Sequence, residues 1–313
     1  MQDLIIVGGG PAGATAAVYA ARKQLKTTFV TSEWGGQSTV SEDIQNWIGS
    51  PHISGADLAK NLKAHVEEYA ADHVRIIAPA LAQSLKVGQD HVTVTLNSGE
   101  VLEARSLFVA TGAIRRTLDI PGAKEYEHKG LTYCASCDGP LFADQDVVVV
   151  GGGNAAFETA LQLAAYCKTV MLLNRSDSYR ADEVTIAAAQ KNPRITLITN
   201  AAPTRVEGEK FVSAFVYTDA SQKEVTLAVT GVFVEVGLLP NTPWLGDMVI
   251  LDATKHVVVD PRTQRASYAT ETVTCRVWAA GDCTDGIYHQ NNISSGDAVK
   301  ALEDLYIFLH KNG

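Results

Sequence analysis

Apolar residues come in two rhythms along this chain. Short unbroken runs, such as Leu4-Ile5-Ile6-Val7 and Val147-Val148-Val149-Val150, predict buried strands. Longer stretches with an apolar residue every three or four positions predict helices. The chain opens with a predicted strand over 3–7, an Ala-rich helix over 14–23 and a strand over 27–30. A helix over 56–71 follows, with Leu58, Leu62, Val66 and Tyr69 along one face. Strands over 74–78, 81–87, 91–96 and 101–104, with Asn97-Ser98-Gly99 as a turn signal, read as a β-meander inserted into the first domain. A strand over 106–110 precedes Thr111-Gly112, and the polar stretch from Arg115 to Pro121 marks a domain boundary. The pattern then restarts with a strand over 146–150, a helix over 155–166 and a strand over 169–173. More strands are predicted over 195–198, 211–217, 224–229 and 231–236. Short strands near 249–251 and 256–259, the run Val277-Trp278-Ala279-Ala280 and a helix from 294 to 309 close the chain. That last helix needs a sheet to pack on, and the first module offers one.

Each restart carries the same turn. Gly8-x-Gly10-x-x-Gly13, with Pro11 and Ala12 inside it, lies between the first strand and helix. Gly151-x-Gly153-x-x-Ala156, with Asn154 and Ala155 inside it, repeats the arrangement 143 positions later. In such a turn the first glycine allows the tight bend, the second lets backbone approach a pyrophosphate, and the third lets helix pack on strand. Helix N-terminal N–H groups then hold the phosphates. Glu33, twenty residues past Gly13, stands where an acid accepts hydrogen bonds from a ribose. In the second copy the strand ends at Asn174-Arg175-Ser176, without an acid. Arg175 and Arg180 are candidates for the 2′-phosphate of NADP, or else they belong to an ordinary solvated surface. Two copies imply two dinucleotides, and a flavin with a nicotinamide donor is one natural pairing.

These readings predict an α/β fold of two Rossmann-like dinucleotide-binding domains of the three-layer ββα type, the second inserted into the first. The expected boundaries are 1–114 with 246–313 for the outer domain and 117–243 for the inserted one. Composition narrows the class. A hydrophobic content of 46% and a charged content of 19% suit a globular enzyme. The net charge of −9 argues against nucleic acid and anionic membrane as partners. No apolar run approaches the ~20 residues that span a bilayer. No basic stretch with an apolar core and cleavage site opens the chain, and five cysteines make an odd count, so the expectation is a reducing cytoplasm.

Two of those cysteines form Cys134-Ala135-Ser136-Cys137, followed by Asp138-Gly139-Pro140. Such a pair can bind zinc, lie inert, or cycle between dithiol and disulfide. Tetrahedral zinc wants four ligands, and Cys167, Cys275 and Cys283 offer no second close pair, so no metal site is expected. Exchange needs a thiolate and a proton carrier, and Asp138 stands next to Cys137. The same aspartate also suits the turn ahead of Gly139-Pro140.

Taken together, Gly8-Gly9-Gly10-Pro11-Ala12-Gly13, Gly35-Gly36-Gln37, Ala110-Thr111-Gly112, Cys134-Ala135-Ser136-Cys137-Asp138-Gly139, Gly151-Gly152-Gly153-Asn154, Gly237 with Pro240-Asn241-Thr242, and Gly281-Asp282-Cys283 resemble the low-molecular-weight thioredoxin reductase family over essentially the full length. Gly139-Pro140-Leu141-Phe142 and Gly237-Leu238-Leu239-Pro240-Asn241-Thr242 are also similar to the flavoprotein part of alkyl hydroperoxide reductase. The resemblance implies a homodimer and a thioredoxin-disulfide reductase activity on thioredoxin or a similar small protein. It implies FAD at Gly8, Gly10, Pro11, Ala12, Gly13, Glu33, Gly36, Gln37, Asn46, Thr111, Gly112, Gly281, Asp282 and Gln290. It implies NADPH at Gly151, Gly153, Asn154, Ala155, Arg175, Arg180 and Gly237. Electrons would pass from NADPH to FAD and on to the Cys134–Cys137 disulfide. In the family Cys137 faces the flavin, Cys134 attacks the partner's disulfide and Asp138 handles protons, with the inserted domain rotating about segments here matched by Arg115-Arg116 and Asn241-Thr242.

Three departures bear on these implications. His-Arg-Arg of the family is Asn174-Arg175-Ser176 here, although Arg180-Ala181 follows at the family's distance. Asp-Ser after the second turn is replaced by Asn154-Ala155, and Tyr-Arg-Gln-Ala near the C-terminus by Tyr288-His289-Gln290-Asn291. NADH or reduced ferredoxin as donor, a peroxidase-system protein as partner, and a non-enzymatic flavin-bound redox sensor therefore stand beside the leading reading. The resemblance predicts that Cys137→Ser retains flavin and loses disulfide reduction. Full turnover of a disulfide substrate by that variant would remove the pair from the mechanism.

Overall fold

The computed structural model describes residues 1–41, 44–71, 73–133, 135–268 and 276–311, with backbone alone at 136 and 137. Its first half runs β1 (Gln2–Val7), α1 (Pro11–Arg22), β2 (Thr27–Val30), α2 (Gly55–Ala70), β3 (Val74–Ile77), β4 (Ala82–Val87), β5 (Val92–Leu96) and β6 (Val101–Val109). Then come β7 (Ala113–Arg115), β8 (Leu131–Thr132), α3 (Ala135–Asp138), β9 (Asp146–Val150), α4 (Asn154–Leu163), β10 (Thr169–Leu173), α5 (Glu183–Lys191) and β11 (Ile195–Ile198). The remainder is β12 (Ala202–Gly208), β13 (Val212–Thr218), β14 (Glu224–Leu227), β15 (Gly231–Val234), β16 (Leu238–Pro240), β17 (Val277–Ala279) and α6 (Asn291–Lys311). Two compact units result, one from 1–114 with 239–313 and one from 115–238. The second crossing thus lies before the expected 243, because Asn241 N donates to the Gly112 carbonyl and the buried Thr242 hydroxyl to the Lys255 carbonyl, both in the outer unit.

In the outer unit the sheet order is β3-β2-β1-β6-β5-β4, with β17 also on β6. β1 explains the architecture in miniature. Leu4 and Ile6 point into a core shared with α1, α2 and α6, while Ile5 and Val7 point into a second core shared with β4, β5 and Trp244. A strand buried on both faces reads as a continuous apolar run, which is why residues 4–7 show no alternation. β3 departs from expectation. It pairs in parallel with β2, Thr27 opposite Val74, and is the outer strand of the parallel sheet, not the first strand of the meander. The α2 crossover between β2 and β3 dictates parallel pairing. The expected strands over 101–104 and 106–110 are one strand. Ser106, the polar residue inside it, donates its hydroxyl to the Asp3 carbonyl at 2.6 Å, so the ladder needs no break there.

The inserted unit repeats the plan. Its parallel sheet runs β11-β10-β9-β15-β8, and β12-β13-β14 form a separate antiparallel sheet. Val147 and Val149 face Phe157, Ala160 and Leu163, whereas Val148 and Val150 face Phe215 and Tyr217. Each unit thus stacks helices, a parallel sheet and an antiparallel layer. The helix expected over 155–166 ends at Leu163. The expected strands near 249–251 and 256–259 are single bridges, Leu251 with Val257 and Val259 with Ala266.

The helix layer of the outer unit lies close because Gly13 has no side chain. A Cβ there would stand 1.8 Å from the Gly8 carbonyl oxygen. Gly13→Val should therefore destabilise the protein by about 3 kcal/mol. Thermal unfolding followed by circular dichroism reads this, and an unshifted midpoint would contradict the close approach.

Candidate functional site

The outer unit holds a cavity of about 660 Å³. This is within the roughly 300–1,000 Å³ typical of ligand sites. The ends of β1, β2 and β6 and the start of α6 supply its walls. Carboxyl ends of neighbouring parallel strands leave such a crevice where strand order reverses, here between β1 and β6. Gly8, Gly10, Pro11, Ala12, Glu33, Gly36, Gln37, Thr111, Gly112, Gly281 and Asp282 all line it. Gly13 packs helix on strand and is not in the lining, and Asn46 and Gln290 are exposed residues outside it. The Gln290 carbonyl instead accepts from Ser294 N at 2.9 Å, closing the start of α6.

The residues fit a dinucleotide such as FAD. A Cβ on Gly10 would meet nothing within 4 Å, so this backbone lies open. Gly10 caps α1 without any side-chain hydrogen bond, leaving helix N–H groups available for an anion. Glu33 follows β2 at the ribose position. Trp244 lines the cavity and carries a buried indole N–H with no partner among the described residues. Thr111 donates its hydroxyl to the Asn241 carbonyl at 2.7 Å, and Asn241 N donates to the Gly112 carbonyl at 2.9 Å. Those bonds draw the 241–244 segment into the wall. Ser38 donates to Asn291 Oδ1 at 2.9 Å, which brings Asn291 there as well. Trp244, Asn291 and Ser294 were not foreseen, because they are far from the glycine turn in sequence and match no spacing rule.

In the inserted unit the second glycine turn is built on the same terms. A Cβ on Gly151 would stand 2.2 Å from the Glu235 carbonyl oxygen, and one on Gly153 would meet nothing within 4 Å. Gly153 caps α4 with no side-chain bond, and Asn154 and Ala155 are exposed in its first turn. Asn154 Oδ1 accepts from Asp182 N at 2.7 Å, and Arg180 N donates to the Gly152 carbonyl at 2.8 Å. Asn174 is buried beneath Gly152 and donates to the carbonyls of Ser176 and Ser178 at 3.1 and 2.8 Å. This holds the 175–180 loop against the turn. Arg175 and Arg180 are exposed there and form no ion pair among the described residues. Gly237 lies beyond β15 with φ +98°, a conformation that favours glycine.

Of the dithiol, Cys134 and the further Cys275 lie outside the described residues. Cys137 belongs to α3, which follows the carboxyl end of β8. Asp138, half-buried at the end of that helix, accepts a short hydrogen bond from the Thr132 hydroxyl. Both residues line a second cavity of about 390 Å³ with Leu141, Phe142 and Phe211. Cys167 and Cys283 are free and buried. Burial pushes each thiol up to about 11, so neither offers thiolate near neutrality. Among the described residues no group of three or more His, Cys, Asp or Glu could hold a metal ion, and no helix is long and apolar enough to cross a membrane.

Comparison with known proteins gives a consistent picture. A model of the family described as pyridine nucleotide-disulphide oxidoreductase matches residues 2–298. A thioredoxin reductase structure from Lactococcus lactis superposes with TM-score 0.91 at 30% identity, covering 99% of this chain and 100% of that one. The thioredoxin reductase of T. acidophilum gives TM-score 0.87 at 33% identity, covering 98% of each chain. An alkyl hydroperoxide reductase subunit from Escherichia coli (strain K12) is 39% identical over 310 residues, 98% of this chain and 58% of its own length. A protein named NADH dehydrogenase from Bacillus subtilis (strain 168) is 36% identical over 311 residues, 99% of this chain and 59% of its own. The chain thus spans under two thirds of the length of these curated relatives.

Gly10 separates binding from stability. A Cβ at Gly10 meets no protein atom within 4 Å, so Gly10→Val should cost no more than about 1 kcal/mol, yet its side chain intrudes on the cavity. The expected result is a near-normal melting point with most flavin absorbance lost on purification; full flavin content would place the ligand elsewhere.

Proposed function

We propose that this chain, which belongs to the pyridine nucleotide-disulphide oxidoreductase family of enzymes, is an NADPH-fed disulfide reductase of thioredoxin or a similar small dithiol protein. FAD would occupy the outer cavity, held by the α1 N-terminus, Glu33 and Asp282. When bound, it supplies a two-electron relay between a nicotinamide and a disulfide. Cys134 and Cys137 would be the reducible pair. Asp138, hydrogen-bonded by Thr132, would hold and return the proton that thiol–disulfide exchange requires. The cavity beside Asp138, with Leu141 and Phe211 exposed at its rim, suits an apolar contact with a small protein partner. A cytoplasmic homodimer accords with the resemblance to thioredoxin reductases.

The contrast between the two second strands carries the donor choice. β2 leads to an acid, Glu33, whereas β10 leads to Asn174, Arg175 and Arg180, the two arginines without an ion pair among the described residues. An acid there accepts from a ribose 2′-hydroxyl, and a guanidinium accommodates a 2′-phosphate. A second reading, NADH as donor, draws support from the relatives named NADH dehydrogenase and alkyl hydroperoxide reductase.

Anaerobic titration with NADPH and NADH, watching flavin absorbance, tests the proposal. NADPH should bleach the flavin at lower concentration, and Arg175→Ala with Arg180→Ala should raise the NADPH requirement about 10- to 100-fold while sparing NADH. A wild-type preference for NADH moves the assignment to the second reading. Bleaching by dithionite but by neither nucleotide would refute both and direct attention to ferredoxin.

A further inference from the structure

In the inserted sheet, β10 and β11 lie on one side of β9, and β15 and β8 on the other. Strand order therefore reverses between β9 and β15, and the crevice at their carboxyl ends is where a dinucleotide crosses such a sheet. Two residues bound that crevice, Gly151 after β9 and Glu235 after β15. Glu235 N donates to the Val150 carbonyl at 2.8 Å, and its own carbonyl abuts the place where a Gly151 Cβ would be. Glu235 is thus part of the turn's wall.

Its carboxyl group is the unexplained feature. Oε1 accepts a hydrogen bond from the Thr159 hydroxyl of α4 at 3.0 Å, and no other bond to the carboxyl exists among the described residues. Burial raises its pKa above the usual carboxylate range; Arg115 from β7 and the Thr159 hydroxyl pull it down, and Glu158 from α4 pushes it up. A glutamine would accept the same hydrogen bond without a charge to desolvate. Fixing Thr159 therefore does not require an acid at this position. A carboxyl group beside the crevice, with one oxygen uncommitted among the described residues, can instead act on a ligand once ionised.

The direction of a bound nucleotide follows from the sheet. Phosphates at the N-terminus of α4 and an adenosine end towards β10 leave the nicotinamide end to run over β15. We propose that Glu235 binds the nicotinamide end of the pyridine nucleotide and favours the cationic oxidised ring over the neutral reduced ring. This rests on the reading of the inserted unit as the pyridine-nucleotide domain. Hydride loss turns a neutral ring into a cation, so an attraction to a carboxylate exists only after the hydride has left. Glu235 would then stabilise the product nucleotide and draw hydride donation forward. The effect grows as pH rises, because the carboxyl must ionise to exert it.

The test uses the flavin-loaded full chain, wild type and Glu235→Gln. Calorimetry gives the affinities for NADP+ and for 2′-phospho-ADP-ribose, which lacks the nicotinamide. NADPH binding is measured on dithionite-reduced protein under argon, and the NAD+, NADH and ADP-ribose set is run in parallel. Glu235→Gln should weaken oxidised nucleotide about tenfold while the reduced nucleotide and the nicotinamide-free fragment change by no more than about twofold. Wild-type affinity for oxidised nucleotide should rise with pH, and the variant's should be flat. Equal changes for oxidised and reduced forms, or no change, overturn the inference. A matching loss for the nicotinamide-free fragment also overturns it, since Glu235 would then only shape the turn. If wild type binds none of the nucleotides or fragments, the nucleotide reading itself fails and takes this inference with it.

Discussion

Backbone touching backbone at the two glycine turns is the constraint on which both units depend. A Cβ at Gly13 would lie 1.8 Å from the Gly8 carbonyl, and one at Gly151 would lie 2.2 Å from the Glu235 carbonyl. Only without side chains can a helix start directly off the end of a central strand and lie on its own sheet. The same contacts leave Gly10 and Gly153 open and their helices uncapped. Tight packing and an exposed row of N–H groups are therefore two consequences of one arrangement.

From these turns outward, the parallel sheets decide what meets what. In the outer unit the carboxyl ends of β1, β2 and β6 bring the glycine turn, Glu33 and Thr111-Gly112 to one cavity. In the inserted unit the corresponding edge presents, in spatial order, Asn174-Arg175 after β10, Gly151 after β9, Glu235 after β15 and α3, which carries Cys137 and Asp138, after β8. Cys137 and the second glycine turn thus follow strands of one sheet, with Glu235 after the strand between them.

Much of this was legible in the residues. Strands 27–30, 146–150, 169–173 and 195–198 have the predicted bounds, because each is a short run of apolar and threonine residues, unbroken over Val147–Val150, that polar positions delimit. β12 was not foreseen, since Val206 is its only buried residue and Pro203 interrupts the pattern. α5 buries only Ala189 and shows no apolar stripe, and β8 is two residues long and exists through its pairing with β15. Most of the expected outer-cavity residues were legible through their glycines. Trp244, Asn291 and Ser294 were not, since hydrogen bonds such as Thr111 to Asn241 and Ser38 to Asn291 recruit their segments across more than a hundred residues.

The sequence by itself determined the two glycine turns, the apolar strands and the cysteine pair. These depend on the conformational freedom of glycine, on burial and on short spacing, all local properties. Tertiary structure alone decided that β3 joins the parallel sheet, that residues 239–245 belong to the outer unit, and that Glu235 stands against Gly151. Those outcomes depend on which surfaces close on one another, and nothing within a few residues of each position specifies the partner.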